Sequence, residues 1–571
     1  MSILDRFAAS VRPRLAQFFT DHRGLVVVGV ALPASYVFDK IRAARDIVYA
    51  NYFATPLKHD ERVRHVQAQV RDYLASGSTK PMVTARPEWA TVSSRTATYK
   101  RDCSRIEVDL HDILSIDEER GTVTVEPLVN MGQLSRYLIP RGYALKTMVE
   151  MEDLTAGGLS MGLGMETMCH RFGLWQETVR SFEIVTADGE RRLVTKDSDP
   201  ELFHALPWSH GTIGFLVSVE LELVKVKPYV RLEYRPCHSL ASFRDELDAL
   251  AAADDPPDFL EGTIYSRQSG VIQCGTFDDA PADPSRINRI GRANAPWYFE
   301  HVGSALDRGT FTEWIPLRDY YHRHTKSLFW EIRELIPFGN HPVYRNLLGF
   351  LGAPKVSLLK RTMTEAVRQK LVFKHAVQDL LVPLRDLDRA VELSHQHVDT
   401  YPLLVYPIRI HDRGPLQGFI RAPKRLRPGT NWDMYVDLGI YGIPAAVKQK
   451  KDWDAVASIR ALEALCRELG GFTLLWADIF MTRSEFEAMF DHRLYRRMRE
   501  RFGATKAFPE VWDKVKPQYS LSARTAAETQ SPSAHAEDRA SDGSPAPERS
   551  VRDSMRVEKE TVRPGRRSSA A

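Results

Sequence analysis

Cysteine is scarce in this chain and shows no pattern. Cys103, Cys169, Cys237, Cys274 and Cys466 are odd in number, widely spaced and free of any Cys-x-x-Cys pair among 571 residues. That excludes a disulfide framework and a cysteine-ligated zinc site, and it fits a reducing compartment. An excess of one charge is missing too, since 78 basic against 74 acidic residues leave a net +4. No global field draws the chain to nucleic acid, and no such partner is expected. The sequence has neither the Gly-Lys-Ser/Thr ending of a Walker loop nor the Gly-x-Gly-x-x-Gly of a Rossmann unit. Long apolar runs are absent: the charge-free stretch Gly24 to Phe38 has 15 residues, short of the ~20 that usually span a bilayer. Beyond Leu521 there is no further Leu, Ile, Phe, Trp or Tyr. A segment that cannot bury apolar surface cannot offset its ordering entropy, so 522–571 is expected to be a disordered tail.

What is present is a globular composition, 43% hydrophobic and 10% aromatic, long enough for about three or four domains of roughly 100–200 residues. Its most informative stretch runs from Asp153 to Thr167 (Asp-Leu-Thr-Ala-Gly-Gly-Leu-Ser-Met-Gly-Leu-Gly-Met-Glu-Thr). Gly157, Gly158, Gly162 and Gly164 leave few side chains between the backbone and whatever it touches. Successive free N–H groups in such a loop suit an anion such as a pyrophosphate. The same glycines also suit a tight turn or close packing between strands. The residues alone leave both readings open.

Taken in order, Ile3, Leu4, Phe7, Val11, Leu15, Phe18 and Phe19 recur at helical spacing with Arg6, Arg12 and Arg14 elsewhere around the wheel, a pattern for a helix on a membrane surface that Pro13 interrupts. The run Gly24 to Phe38 then reads as a short or tilted anchor, a re-entrant segment or a buried helix. Lys40, Arg42 and Arg45 after it place the main body on the cytosolic side. Val63, Val66, Val70 and Leu74 predict a helix over 61–74. Met82 to Thr84, the alternation of Ile106, Val108 and Leu110, and 121–127 predict strands. Asn130 caps a helix, and Asp188-Gly189 joins a hairpin. The irregular alternation favours an α+β arrangement. Past Lys227 the runs Val230 to Tyr234, Thr263 to Tyr265, Val405 to Ile410, Met434 to Leu438 and Phe472 to Trp476 predict strands of a second domain. Within it, Tyr320 to Trp330 combines His322 and His324 with Tyr321 and other aromatics. Two histidines at i, i+2 point the same way on a strand and could bind a metal, although no third ligand is evident; the alternative is an ordinary polar and aromatic surface.

Several stretches together resemble the delta-24-sterol reductase (seladin/Diminuto) family within the flavoprotein class that includes vanillyl-alcohol oxidase. They are Thr84-Ala-Arg-Pro-Glu-Trp, Val125-Glu-Pro-Leu-Val-Asn-Met-Gly-Gln, Asp153-Leu-Thr-Ala-Gly-Gly-Leu-Ser-Met-Gly, Pro207-Trp-Ser-His-Gly-Thr-Ile-Gly-Phe-Leu-Val and Pro316-Leu-Arg-Asp-Tyr-Tyr-His-Arg-His-Thr, followed by Ile336-Pro-Phe-Gly-Asn, Val377-Gln-Asp-Leu-Leu-Val-Pro and Ala507-Phe-Pro-Glu-Val. The resemblance runs from about Pro56 to about Lys516. It implies an α+β fold with a two-subdomain FAD-binding PCMH-type domain 56–227 and an α+β substrate or cap domain 228–521, between the membrane-associated segment 1–55 and the tail 522–571 that composition predicts.

Carried onto this sequence, the family's FAD-binding segment falls on Thr155, Ala156, Gly157, Gly158, Leu159, Ser160, Met161, Gly162, Leu163, Gly164, Met165, Glu166 and Thr167. Phe203, Gly211 and Gly214 match a second flavin-side loop. Many relatives in the wider class carry a flavin-linking histidine in the loop equivalent to Ala85 to Trp89; none stands there, so non-covalent FAD is expected, and His170 is not at that position. The implied reaction is reduction of the side-chain 24(25) double bond of a sterol with NADPH as electron donor, reached transiently or through a partner reductase, at the endoplasmic reticulum membrane. An isolated alkene also needs a proton, for which His322, His324, Tyr321 and Asp478 are the candidates. Trp476-Ala477-Asp478-Ile479-Phe480 stands where the family leads one to expect Tyr-Ala-Asp-Cys-Tyr. The competing readings are an FAD oxidase or dehydrogenase of a sugar lactone or 2-hydroxy acid, and a sterol-binding scaffold without redox turnover.

Overall fold

The computed structural model describes residues 27–48, 56–95, 97–352, 355–361, 368 and 372–517. The expected surface helix over 2–20 and the tail 522–571 lie outside them.

The first half is built on a six-stranded antiparallel sheet. Its order is β3 (Ile113–Asp117), β4 (Thr122–Val125), β8 (Gly214–Lys225), β6 (Val179–Thr186) and β7 (Arg191–Thr195), with β5 (Tyr143–Leu145) also paired to β8. Asp188-Gly189 turns β6 into β7 as its sequence demands, Gly189 adopting φ 77°. A two-stranded parallel pair, β1 (Met82–Thr84) with β2 (Ser104–Ile106), lies beside the helix His59–Ala75. That helix buries Val63, Val66 and Val70 in a small core with Met82, Val185, Phe215 and Val217. The helix Met131–Leu138 opens on Asn130, whose side chain accepts from the Gln133 N–H in a full capping box.

The second half is an eight-stranded sheet whose neighbours are antiparallel. Its order is β12 (Phe311–Pro316), β9 (Tyr229–Cys237), β11 (Ser269–Asp278), β10 (Phe259–Ser266), β14 (Leu403–His411), β15 (Trp432–Gly442), β13 (Ala376–Pro383) and β16 (Phe472–Thr473). Helix Ala455–Leu469, capped by Asp454 and stopped by left-handed Gly470, lays Ile459, Leu462 and Cys466 against it. Directly opposed residues share a face of a sheet, so the registers Gln273↔Glu261, Tyr406↔Asp437 and Gly439↔Asp379 put a set of polar side chains on buried strands. Of these strands β11, β12 and β13 escaped the sequence pattern.

Two expectations are corrected. The described part of the apolar run is a π turn, Val27–Ala31, and the start of a helix, Leu32–Val48, that contains Asp39, Lys40 and Arg45. Val27, Ala31, Leu32 and Ser35 are buried, and the Ser35 hydroxyl accepts from the Lys355 N–H at 3.0 Å. Among the described residues no helix is long and apolar enough to cross a membrane, so the anchor reading gives way to that of a partly buried helix. Secondly, His322 and His324 are not on a strand. After Pro316 ends β12 the chain forms a short helix, Leu317–Tyr321, and then turns, which sends the two imidazoles to different surroundings.

Candidate active site

The glycine segment forms the wall between two cavities. In the helix Ala156–Met161, Gly157, Gly158 and Met161 face a cleft of about 570 Å³, while Leu159 and then Leu163, Gly164 and Met165 face an apolar cavity of about 540 Å³. Opposite, Leu475 lines the cleft and its neighbours Leu474 and Trp476 line the cavity, and Ser93 borders both. Each volume falls in the roughly 300–1,000 Å³ range of small-molecule sites.

The glycines divide by what a side chain would meet. A Cβ at Gly157 would lie 2.6 Å from the Pro127 Cβ, one at Gly162 2.6 Å from the Gly158 carbonyl, and one at Gly164 3.0 Å from the Trp175 Cβ. These positions serve close packing. At Gly158 a Cβ would meet only the Thr155 hydroxyl, at 3.2 Å, and otherwise open cleft. The close-packing reading holds at Gly157, Gly162 and Gly164; the segment is a helix in which the N–H groups of Ala156, Gly157, Leu159 and Gly162 donate to carbonyls, while Gly158 leaves its side open to the cleft. Across the cleft, Gly211 has φ 69° and follows His210, itself at φ 52°. Non-glycine left-handed backbone costs about 1–3 kcal/mol and clusters at functional sites.

The cleft fits an extended anionic cofactor. Arg86 donates to the Thr155 hydroxyl at 3.0 Å, and Lys100 reaches the carbonyls of Thr84 at 3.0 Å and Arg86 at 2.8 Å. Burial pushes the Lys100 ammonium down to about 8 and that of Lys514, which donates to the His210 carbonyl, down to about 7. An anion would reverse that loss by offsetting the desolvation. His210 lines the cleft, and its Nε2 is buried without a hydrogen-bond partner, a polar atom still to be satisfied.

The other cavity is lined by Val149, Leu154, Leu335, Val356, Leu359, Val377, Leu404, Ile443, Ile459 and Phe480, with Phe329, Tyr406, Tyr441 and Trp476 as aromatic walls. Leu328 and Phe329 on its rim are held at φ 46° and 60°. Behind it lies a network around Arg323, which donates to Glu166 at 2.6 Å, to Glu261 at 2.8 Å and to the Tyr406 phenol at 3.1 Å.

Of the sequence candidates, Asp478 lines this cavity and is paired with Arg368 at 3.2 Å. His322 lies in an adjoining polar cavity of about 430 Å³, hydrogen-bonded to Ser135 at 2.8 Å and to the Glu150 carbonyl at 3.0 Å. Burial holds its imidazole down at about 4. His324 bonds Glu261 at 2.8 Å and stacks under Phe329, whose ring centre is 4.7 Å away, one layer behind the cavity surface. Tyr321 is buried. His170 is buried with its ring nitrogens 2.9 and 2.8 Å from the carbonyls of Thr167 and Pro257, one of which accepts its single N–H.

Sequence reasoning passed over Asp379, Asp437 and Glu150. Asp379 faces the cavity and accepts from the Tyr441 phenol and the Trp476 indole N–H. Burial pushes its carboxyl up to about 7 against the lowering effect of those two donors. Burial, with Asp379 and Glu150 nearby, raises Asp437 well above the carboxylate range, and neither of its oxygens has a hydrogen-bond partner. Burial and then the charge of Glu166 raise Glu150. The only signal in the sequence was a lone acid inside an apolar strand, Val377-Gln-Asp-Leu-Leu and Met434-Tyr-Val-Asp-Leu.

Comparison with known proteins agrees with this geometry. An FAD binding domain family matches residues 65–194, which contain the glycine segment and the first sheet's hairpin. The human Delta(24)-sterol reductase is 39% identical over 511 residues, covering 89% of this chain and 96% of that protein. The Arabidopsis thaliana Delta(24)-sterol reductase is 36% identical, covering 89% and 94%, and the Delta(24)-sterol reductase homolog of Caenorhabditis elegans is 36% identical, covering 88% and 96%. With near-full-length similarity to animal and plant members alike, the chain belongs to the delta(24)-sterol reductase family.

Proposed function

We propose that this protein is an FAD-dependent reductase of the sterol side-chain 24(25) double bond, with NADPH as electron donor. The observation that carries the reading is the shared wall: one short glycine-rich helix borders both an anion-suited cleft and an apolar cavity large enough for a lipid. Residues 56–227 form the FAD-binding domain and 228–521 the substrate domain. Thr155 to Thr167, Gly211 and Gly214 hold FAD non-covalently, Ala85 to Trp89 offering no histidine for a bond to it. When bound and reduced, FAD supplies a hydride.

The chain's own residues do the rest. The apolar walls exclude water and take the hydrocarbon body. Protonation of an isolated alkene develops positive charge on carbon, and the faces of Phe329, Tyr441 and Trp476, with ring centres 5.2 Å (Phe329–Tyr441) and 6.2 Å (Tyr441–Trp476) apart, stand where they can stabilise it. Asp478 lines this cavity, His322 lines the adjoining one, and His324 lies a layer behind Phe329.

Membrane association rests on an exposed apolar face. Val37 and Ile41 of the helix Leu32–Val48, with Leu347 and Phe350, are each more than half exposed, and Tyr36 packs edge-on against Phe350 at 5.6 Å. Such a face suits a helix lying in the lipid interface, here the cytosolic surface of the endoplasmic reticulum.

Anaerobic stopped-flow on the detergent-solubilised, FAD-loaded protein tests the reading. NADPH should bleach the flavin, and desmosterol should restore its colour as a product two mass units heavier forms. Bleaching by a hydroxy acid or sugar lactone in place of NADPH would replace it with the oxidase reading, and a colourless protein that binds sterol with the scaffold reading.

A further inference from the structure

The cavity raises a question of proton supply that none of the sequence candidates answers. Five carboxyl groups, those of Glu150, Glu166, Glu261, Asp379 and Asp437, lie buried in one region of the second sheet and the loops against it. A single guanidinium, that of Arg323, pairs with two of them, Glu166 and Glu261. The His324 imidazole, which bonds Glu261, is pushed down by burial. Asp379 and Asp437 form no ion pair among the described residues. Burying an unpaired carboxylate is costly enough that such a group keeps its proton.

Position separates these acids. Of the two aspartates Asp379 opens onto the apolar cavity and Asp437 does not; Glu150 lines it as well, but with the like charge of Glu166 beside it in place of two donors. Its setting is built: Tyr441 stands two residues along β15 from Gly439, the register partner of Asp379, and a Cβ at Gly439 would fall 2.8 Å from the Tyr441 hydroxyl. The glycine is what lets the phenol lie flat over the strand and reach the carboxyl. From the other side comes the Trp476 indole. Each carboxyl oxygen has two lone-pair sites, so these two donors leave Asp379 room for a proton directed into the cavity. The same two donors stabilise the carboxylate once that proton has gone. Of the other acids on the wall, Asp478 is paired with Arg368, Glu331 with His375 and Glu334 with Lys448, while Glu150 lies against Glu166.

We propose that Asp379 is the catalytic acid that protonates the alkene, with Tyr441 and Trp476 as its positioning residues; this rests on the sterol-reductase reading. The O–H bond of the carboxyl breaks as a C–H bond forms on the alkene, the hydride that completes the saturated bond comes from reduced FAD, and the carboxylate regains its proton from solvent between turnovers. The groups facing Asp379 are Asp437 and Tyr441 on β15, Trp476 after β16, and Glu150 and Tyr406 further along the wall, with Cys466 of the helix Ala455–Leu469 beside Asp437. None of these is a cation; the cations that line the cavity, Arg368 and Lys360, sit by Asp478.

The test compares wild type with Asp379→Asn, full-length and FAD-loaded, in the two half-reactions. Bleaching by NADPH should be unchanged, while reoxidation by desmosterol should slow on the order of 10²–10⁴-fold, the usual contribution of a positioned acid. Independently of turnover, the infrared carbonyl band of a protonated carboxyl in the sterol-free protein should lose intensity in Asp379→Asn. Reoxidation of the variant at the wild-type rate would overturn the inference alone. A wild-type flavin that desmosterol never reoxidises would overturn the reading beneath it as well. Should Asp379→Asn fail to load with FAD, Tyr441→Phe carries the test. It removes a donor that lowers the acid, so the pH above which reoxidation fails should move upward; an unmoved limb overturns the proposal.

Discussion

Arg323 of the second half donates to Glu166 of the glycine segment at 2.6 Å, with the two side chains 0% and 1% exposed. The guanidinium also holds Glu261 on β10 at 2.8 Å, so one residue ties the cofactor wall to the second sheet. Removing one partner of a buried pair leaves uncompensated charge. Arg323→Met should cost about 3–5 kcal/mol in urea unfolding, and adding Glu166→Gln with Glu261→Gln should recover a large part of that loss.

The glycines of the segment should separate on substitution. Gly157→Ala forces a Cβ to 2.6 Å from the Pro127 Cβ and should destabilise the cofactor-free protein by about 1–3 kcal/mol. Gly158→Leu projects into the cleft; it should leave the Tm of that protein near the wild-type value yet weaken FAD binding at least about tenfold, or about 1.4 kcal/mol. Flavin titration and thermal melts on both variants check the contrast.

His59 links stability to pH. Burial alone would lower its imidazole, but hydrogen bonds to Glu126 at 2.8 Å and Glu183 at 2.9 Å outweigh that and raise it to about 9. A folded-state pKa raised above the unfolded 6.5 gives stability that is fully present below about 6.5 and lost as pH climbs through about 9. The shift corresponds to about 3 kcal/mol. Urea unfolding across that window should show the decline in wild type, and His59→Gln should flatten it.

Lipid contact is testable on the exposed face. Burying an aliphatic side chain contributes about 1.5–3 kcal/mol. Ile41→Glu and Leu347→Glu should therefore each lower co-sedimentation with phosphatidylcholine vesicles about tenfold, without a change in Tm.

Much of the first half was legible in the sequence, because its signals are local. Val63, Val66 and Val70 mark a helix by spacing, Asp188-Gly189 marks a turn, and Asn130 with Gln133 marks a cap. The strands β11 and β13 gave no such sign: β13 is buried at seven of eight positions, so the alternation that betrays a half-exposed strand never develops. The site divides in the same way. Gly157 and Gly158 stand out in the sequence, although they open a short helix and not the expected loop, whereas Asp379 is an isolated acid until β15 and Trp476, far off in sequence, arrive beside it. His322 and His324 misled for a related reason: spacing of two has a meaning only once the backbone is known, and there the backbone is a turn.

Position 476 has a consequence of its own. Its indole walls the cavity and donates to Asp379, and its carbonyl accepts from the Ser93 hydroxyl at 2.5 Å at the border with the cleft. A smaller residue there would enlarge the room for a branched side chain and, in the same stroke, strip a hydrogen bond from the acid. The room in the cavity and the hydrogen bonding of Asp379 are thus coupled through one side chain, and an engineer or a lineage that changes one there changes the other with it.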